Sequence, residues 1–200
     1  MTWTTYQGNT NVAYLLDPRY SKLASYFSGA KNIFKCPSDH FLSAAQRRAG
    51  FTERVRSISG NIRIGDDSNA WDTKAFPRFT AKASGLTDPG PSDTWIYMDE
   101  HPDSINDVGN FTYEPFARRW VDVPANYHNG AAGIAFADGH SEVHKWKGNL
   151  GGAPFVILPA GTGNLGAIRA YAKRDADALW WALRTQRKSG ITEAAIRGTF

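Results

Sequence analysis

The stretch YHNGAAGIAFADGHSEVHKW, residues 127–146, places three histidines and two carboxylates within twenty residues. Histidine and carboxylate side chains can bind a metal ion or exchange protons with a substrate. If the chain is an enzyme, this composition favours His128, Asp138 and His140 as the catalytic residues. A divalent ion would polarise a carbonyl or activate water, and His128 or His140 would be the general base. The activity predicted on this basis is calcium-dependent or other metal-dependent hydrolysis of a small ester or lactone.

Oxygen-bearing side chains are also concentrated just after residue 98, in the segment DEHPDSINDVGN. Calcium takes six to eight oxygen ligands, which clustered carboxylates and loop carbonyls can provide, although the register of an EF-hand is absent. The sequence therefore predicts a calcium site of another kind. Its predicted ligands are Asp99, Glu100, Asp103, Asn106, Asp107 and Asp138. The alternative is a solvated acidic loop whose Asp and Asn side chains cap its own backbone.

Zinc is less favoured than calcium, because His140 and His144 fall on one predicted strand. Their spacing of four puts them on one face but about 13 Å apart, too far to share an ion. His128 could join His140 if the strands register suitably. Cys36 is the only cysteine. It precedes a proline in a predicted turn, which favours a packed thiol, or half of a bond to a segment outside this chain, over a nucleophile.

Of two familiar catalytic motifs, the dinucleotide site can be set aside, whereas the Ser-His-Asp triad stays open because all three residue types are plentiful. The segment GTGNLG, residues 161–166, matches G-x-G-x-x-G, but only 34 residues follow it and none reads as a strong strand. A dinucleotide site needs a complete βαβ unit at this point, so a Gly-rich connector is the better interpretation. A Ser-His-Asp triad lacks a G-x-S-x-G nucleophile elbow.

Local patterns predict the elements that must position these residues. Asp17 can cap a helix with Pro18 at its first position, apolar residues follow at helical spacing, and Gly29 ends it. After Gly29, turn-forming residues and alternating apolar and polar residues predict the other elements. The predicted order is a helix over 17–29, a short helix over 41–48, a strand over 54–64, a long irregular excursion over 65–92 and a strand over 94–98.

The opening stretch itself predicts a β-hairpin. Residues 133–137 are apolar, residues 140–146 alternate, and Asp138-Gly139 between them is a strong signal for a two-residue turn with positive φ at both positions. Asp138 would then lie at the hairpin tip. His140, Glu142 and His144 would share one face of the second strand, with Ser141 and Val143 on the other face.

Length and composition limit the remaining possibilities. Two hundred residues with 42% hydrophobic content suit one packed domain. The formal charge of +4 comes from scattered residues, so no nucleic-acid partner is expected. No apolar run is long enough to cross a membrane, and the chain is expected to be soluble as given. A final helix over 175–187 is predicted to bury Leu179, Trp180 and Leu183.

Several of these stretches together resemble one protein family. His128 is followed by nine residues and then Asp138-Gly139, which is the H-X9-DG pattern of prepilin-type, pseudopilin-like proteins of Planctomycetes and Verrucomicrobia. FKCPSD at 34–39 resembles the Cys-Pro-Ser-Asp block of that family. The segments at 98–111 and 120–146 are also similar to family segments, and RDADALWWALRTQ resembles its C-terminal ending more weakly.

The resemblance implies an α+β, pilin-like fold: an antiparallel sheet with helices packed on one side and a long irregular excursion. Residues 1–150 would be the globular domain, and 151–200 a Gly/Pro-rich connector and C-terminal helix of the same domain. It implies a calcium-binding structural or interaction protein of a type II secretion or type IV pilus-like system, with other pseudopilin-like subunits as partners. Its location would be periplasmic or cell-surface if a leader outside this sequence exports it. The family pattern assigns no chemistry to His128 or Asp138.

Overall fold

The computed structural model of the chain describes residues 5–65, 80–105, 110–111, 113–114, 119–120, 122–152, 174–187 and 189–199. Its regular elements, besides short 3-10 helices, are α1 (Ala13–Leu16), α2 (Ala44–Arg48), β1 (Ile58–Asn61), β2 (Trp95–Asp99), β3 (Asn110–Phe111), β4 (Tyr113–Glu114), β5 (Arg119–Trp120), β6 (Ala131–Phe136), β7 (Ser141–Lys145), α3 (Ala176–Leu183) and α4 (Glu193–Thr199). None of the helices in these ranges has the length and apolar character needed to cross a bilayer.

The main sheet has five strands in the order β3-β1-β2-β6-β7. Strands β1, β2, β6 and β7 pair with one another in antiparallel order, and the two-residue strand β3 joins the edge in parallel with β1. Strands β4 and β5 form a separate two-stranded sheet. The predicted α+β class with an antiparallel sheet is therefore confirmed.

One face of the main sheet carries the hydrophobic core. Trp95 and Phe136 pair across β2 and β6, and both are almost fully buried. An irregularity between positions 95 and 97 lets Met98 join Trp95 in the core although the two residues are three positions apart. Trp181 of α3 packs on Trp95 with ring centroids 4.6 Å apart. The C-terminal helix and the sheet therefore share one core.

The predicted hairpin is confirmed, but its turn is of another type. Phe136 pairs with His140, and the N–H of Gly139 donates to the carbonyl of Phe136. The loop therefore has three residues, and of these only Gly139 has a positive φ, at 97°. This combination matches a type I turn followed by a left-handed residue, in which Asp138 keeps a negative φ. The prediction of positive φ at both Asp138 and Gly139 is wrong.

The predicted helix over 17–29 is also wrong. The chain forms α1 before it, then single turns and a 3-10 helix over Ala24–Tyr26. The carboxylate of Asp17 accepts from the backbone and guanidinium of Arg19 rather than capping a helix. Two residues of the predicted apolar face are exposed, Tyr20 at 59% and Leu23 at 42%, whereas Ala24 is buried. A helix without a surface to bury such a face gains little from propensity alone.

The other elements follow their predictions with shifted boundaries. Helix α2 starts with a capping box between Ser43 and Gln46, and β2 lies one residue beyond the predicted strand over 94–98. Within the predicted strand over 54–64, four residues form β1, and Ile64 makes an isolated bridge with Thr80. Helix α3 begins after the cap Asp175, but its fully buried apolar residues are Ala178, Trp181 and Ala182. Leu179, Trp180 and Leu183 pack only partly against the core, because the helix presents the neighbouring face.

The long excursion is described only from Thr80 onwards. Its second half contains two 3-10 turns and a cis peptide bond between Asp88 and Pro89. Positions 66–79 lie outside the described residues, and so does the GTGNLG segment with most of the predicted connector.

Candidate metal centre

Cys36, Asp99 and His128 bring three potential metal ligands together at one end of the sheet. The Sγ atom of Cys36 lies 3.5 Å from Nε2 of His128. The same nitrogen lies 3.4 Å from Oδ2 of Asp99. All three ligand atoms lie within 4.8 Å of one another. The three residues come from a turn, a strand and a loop that are far apart in the sequence.

Asp99 is the last residue of β2 and points to the sheet face opposite the core. Its Oδ2 accepts a hydrogen bond of 2.9 Å from the N–H of Gly133 in the neighbouring strand β6. A Cβ at Gly133 would come within 3.0 Å of that oxygen. Glycine in the interior of β6 therefore makes room for the carboxylate to lie against the strand.

His128 lies in the tight loop that leads into β6. Asn129 and Gly130 both have positive φ values, of 53° and 78°. The N–H of Gly130 donates to the carbonyl of Asn126, and the N–H of His128 donates to the carbonyl of Ala131. A Cβ at Gly130 would also meet the carbonyl oxygen of a neighbouring loop at 2.9 Å. The loop conformation, rather than a regular element, sets the position of the imidazole.

Cys36 is held by the turn that the Cys-Pro-Ser-Asp block forms. The N–H of Asp39 donates to the carbonyl of Cys36, which closes the turn. The N–H of Cys36 donates to the hydroxyl of Ser57, which fixes the turn to the chain just before β1. The thiol is buried, with the residue 5% exposed. The side chain of His128, in contrast, is 35% exposed, so solvent reaches the cluster from that side.

Burial and like charge oppose ionisation of the two acidic ligands. The pKa of the Cys36 thiol is raised mainly by burial and then by the charge of Asp99, while hydrogen bonds from Ser38 lower it. The pKa of Asp99 is raised mainly by burial, against the lowering by Gly133 and His128. A cation held among the three atoms would reverse this balance and favour the ionised forms.

The acidic segment that follows β2 is not a solvated loop over its described part. Glu100 is 1% exposed, and its two oxygens accept from the hydroxyls of Ser59 and Ser104. Burial, followed by the charge of Asp122, raises the pKa of Glu100 to about 8. A protonated carboxyl that already has two hydroxyl partners is a poor calcium ligand, because calcium prefers ionised oxygens.

The remaining predicted calcium ligands are not brought to Asp99 within the described residues. Asp103 is buried two positions beyond His101, whose Nδ1 accepts from the N–H of Asp103. Asp138 lies in the hairpin turn, where its Oδ1 is 2.6 Å from Nδ1 of His140. Asn106 and Asp107 fall outside the described part of the chain.

The other two candidate histidines lie away from the three-residue cluster. His140 pairs with Asp138 in the exposed turn and stacks on Phe136. His144 lies on the core face of β7 and stacks on Trp180 with ring centroids 3.9 Å apart. The predicted alternation of β7 is confirmed, since Glu142 and His144 oppose core residues of β6.

An open groove of about 300 Å³ adjoins the cluster on the same sheet face. Asp99 lines both the groove and the cluster, and Gly133 and Ala135 form part of the groove between flanking side chains of β1 and β7. Tyr97 and Val143, which also line it, are 41% and 64% exposed. A molecule bound at the cluster would therefore have room on this side among the described residues.

Sequence reasoning missed that Cys36 and Asp99 meet His128. It treated Cys36 as a packed thiol, grouped Asp99 with the carboxylates that follow it, and paired His128 with His140. The available signals were the glycine inside the apolar run AAGIAF and the placement of both Cys36 and His128 beside turns. No protein-family model, no curated protein and no solved structure matches the chain. The functional argument therefore depends on the resemblance of motifs and on the geometry.

Proposed function

We propose that the chain is the globular domain of a pseudopilin-like structural protein of a type II secretion or type IV pilus-like system. The main support is the convergence of three motif segments at one corner of the sheet. The Cys-Pro-Ser-Asp block contributes Cys36, the segment after β2 begins with Asp99, and the H-X9-DG motif contributes His128. Segments that only resembled the family one by one thus form one structural unit.

The architecture is compatible with this proposal. A four-stranded antiparallel arrangement of β1, β2, β6 and β7, with C-terminal helices packed on one face, is what the family resemblance implies. In this function the domain would act by contact with other pseudopilin-like subunits, in the periplasm or at the cell surface. The polar side chains of the cluster would then serve to hold loops in place rather than to turn over a substrate.

The second candidate function is the metal-dependent hydrolase of a small ester or lactone. The observation that favours it is the three-donor cluster, since catalytic zinc sites also use three protein ligands and an open position. This version changes the role of His128 from general base to ligand. His140 is then the remaining predicted base, and it is paired with Asp138 in the exposed turn. This predicted base lies away from the cluster, in the exposed turn, so the structural function comes first.

The upstream reading frame provides a direct test of the structural function. We expect it to encode a prepilin leader and an apolar helix of about twenty residues ahead of this domain. Cross-linking of the full-length protein in its native cells, followed by mass spectrometry, should then recover other pseudopilin-like subunits. A frame that encodes neither feature, together with cross-links to none of these subunits, would remove the basis of the proposal.

The hydrolase candidate is tested on the same protein preparation. A panel of small esters and lactones would be assayed with and without a chelator, for the wild type and for His128→Gln. Metal-dependent turnover that the substitution abolishes would favour the hydrolase. Turnover that survives both the chelator and His128→Gln would exclude this mechanism, and no turnover on any substrate leaves the structural function as the better account.

A further inference from the structure

Two of the three donor–donor distances match the separations that a tetrahedral ion imposes on its ligands, and the sulfur of Cys36 lies within 4.8 Å of the carboxylate oxygen of Asp99. Zinc binds sulfur at about 2.3 Å, nitrogen at about 2.0–2.1 Å and carboxylate oxygen at about 2.0–2.2 Å. At the tetrahedral angle, these lengths put sulfur about 3.5–3.6 Å from nitrogen, and nitrogen about 3.3–3.5 Å from oxygen. The corresponding distances are 3.5 Å between Cys36 and His128 and 3.4 Å between His128 and Asp99.

Hydrogen bonding accounts for this arrangement less well. A hydrogen bond from an imidazole N–H to a carboxylate is usually about 2.7–2.9 Å long, which is shorter than the contact between His128 and Asp99. Nε2 of His128 also faces the sulfur of Cys36, and this nitrogen carries at most one proton. A cation at the centre would satisfy the sulfur, nitrogen and oxygen lone pairs together.

We propose that Cys36, Asp99 and His128 bind one zinc ion. A thiolate, an imidazole and a carboxylate are all established zinc ligands, whereas calcium prefers a shell made of oxygen alone. The site is independent of the pseudopilin-like function and of the predicted calcium segment. It requires neither of them to be correct.

The surroundings of the three ligands fit a zinc site. Metal-binding carboxylates are commonly hydrogen-bonded to a second partner that fixes their orientation, and Gly133 supplies such a bond to Asp99. Three protein ligands leave a fourth position, and the partial exposure of His128 lets water or another small ligand fill it. A bound ion would connect the Cys36 turn and the His128 loop to the end of β2.

Zinc and cobalt(II) binding to the full chain would test the proposal. The protein would be purified without a histidine tag, stripped with a chelator and dialysed against each ion. We expect one zinc per chain by elemental analysis and a higher melting temperature with zinc than after stripping. With cobalt(II), we expect a tetrahedral visible spectrum together with a near-ultraviolet thiolate-to-cobalt charge-transfer band, which reports the sulfur of Cys36 directly.

Conservative ligand variants and matched controls separate this site from adventitious binding. Cys36→Ser, Asp99→Asn and His128→Gln should each weaken zinc affinity by at least about tenfold, since outer-shell changes alone cost 10- to 100-fold. His140→Gln and Asp138→Asn remove an exposed histidine–carboxylate pair elsewhere on the same hairpin. These two controls should bind zinc as the wild type does.

The outcomes decide the proposal either way. Zinc bound with equal affinity by the wild type and the three ligand variants would overturn it, as would a loss of binding in the His140 and Asp138 controls. If a ligand variant fails to fold, the wild-type cobalt spectrum decides: the charge-transfer band supports the site, and a spectrum of octahedral cobalt without the band overturns it. An exogenous azide or thiol that shifts the cobalt spectrum would show that the fourth position is open.

Discussion

Glu100 should make the domain less stable as the pH rises through neutrality. Its pKa is raised to about 8, first by burial and then by Asp122, against the lowering by Arg56 and by the hydroxyls of Ser59 and Ser104. In the unfolded chain the same group titrates near 4.5. Between these two values the folded state keeps a proton that the unfolded chain has lost. The stability from this proton is therefore complete below about pH 4.5 and declines until about pH 8.

The interval between the two pKa values sets the size of the effect. The pKa rises from 4.5 to about 8, and each unit corresponds to about 1.4 kcal/mol, so the loss of unfolding free energy across this range is at most about 5 kcal/mol. That is a large fraction of the 5–15 kcal/mol expected for a domain of this kind. Glu100→Gln removes the ionisation but places an amide N–H₂ against a serine hydroxyl. Ser59 and Ser104 already accept from Arg56 and from Val123, so the variant should lose about 1 kcal/mol at low pH.

The wild type and the Glu100→Gln variant should therefore exchange their order of stability as the pH changes. Urea unfolding at constant ionic strength, from about pH 4.5 to about pH 8.5, would give the free energy of unfolding of each. Glu100→Gln should be the less stable protein at the acidic end and the more stable one at the basic end. Asp122→Asn, which removes the second cause of the raised pKa, should give an intermediate slope. Curves for wild type and Glu100→Gln that stay parallel across the range would refute the reasoning.

Three further predictions concern the hairpin and its contact with α3. Gly139→Ala should lower the free energy of unfolding, measured by urea denaturation, by about 1 kcal/mol or more, because φ is positive at Gly139. Asp138→Ala should cost clearly less, and equal losses for the two variants would contradict the turn assignment. Asp177→Asn should lower the free energy of unfolding by about 1–3 kcal/mol in the same measurement, because the two carboxylate oxygens of Asp177 accept from the N–H groups of Lys147 and Gly148. A variant as stable as the wild type would contradict this prediction. Burial, together with the charges of Arg184 and Lys147, lowers the pKa of His144 in the folded protein. The stability that depends on its neutral form should therefore be complete above about pH 6.5 and be lost as the pH falls through the lowered pKa of the folded state. His144→Gln should remove this loss in acid, and a variant with the pH profile of the wild type would contradict the prediction.

The hairpin and α3 could be predicted because their signals are local. The Asp138-Gly139 dipeptide and the alternation after it determine a turn and a strand whatever packs around them. Asp175 likewise caps α3 through residues within one turn, by accepting from the N–H of Ala178. The turn type was not predictable from the dipeptide alone, since Asp-Gly also suits the three-residue loop that forms.

The helix over 17–29 and the acidic segment were predicted incorrectly or incompletely because their states depend on distant partners. Tyr20 and Leu23 have helical spacing, but both side chains stay exposed instead of being buried against another described element. Glu100 belongs to an acidic run, which suggests a solvated or calcium-binding loop. In the structure it is buried because β1 supplies the hydroxyl of Ser59. Neither outcome can be read from the segment itself.

The H-X9-DG spacing has a structural explanation in this fold. The nine residues between His128 and Asp138 contain the Asn129-Gly130 turn, one complete strand, β6, and the first residue of the turn that follows it. Gly130 and Gly139 supply the positive φ values that these turns need. The spacing thus measures the length of a strand and determines the hairpin, but it does not explain why the first residue is histidine. The contacts of His128 with Cys36 and Asp99, which no local pattern in the motif encodes, give that residue a chemical role.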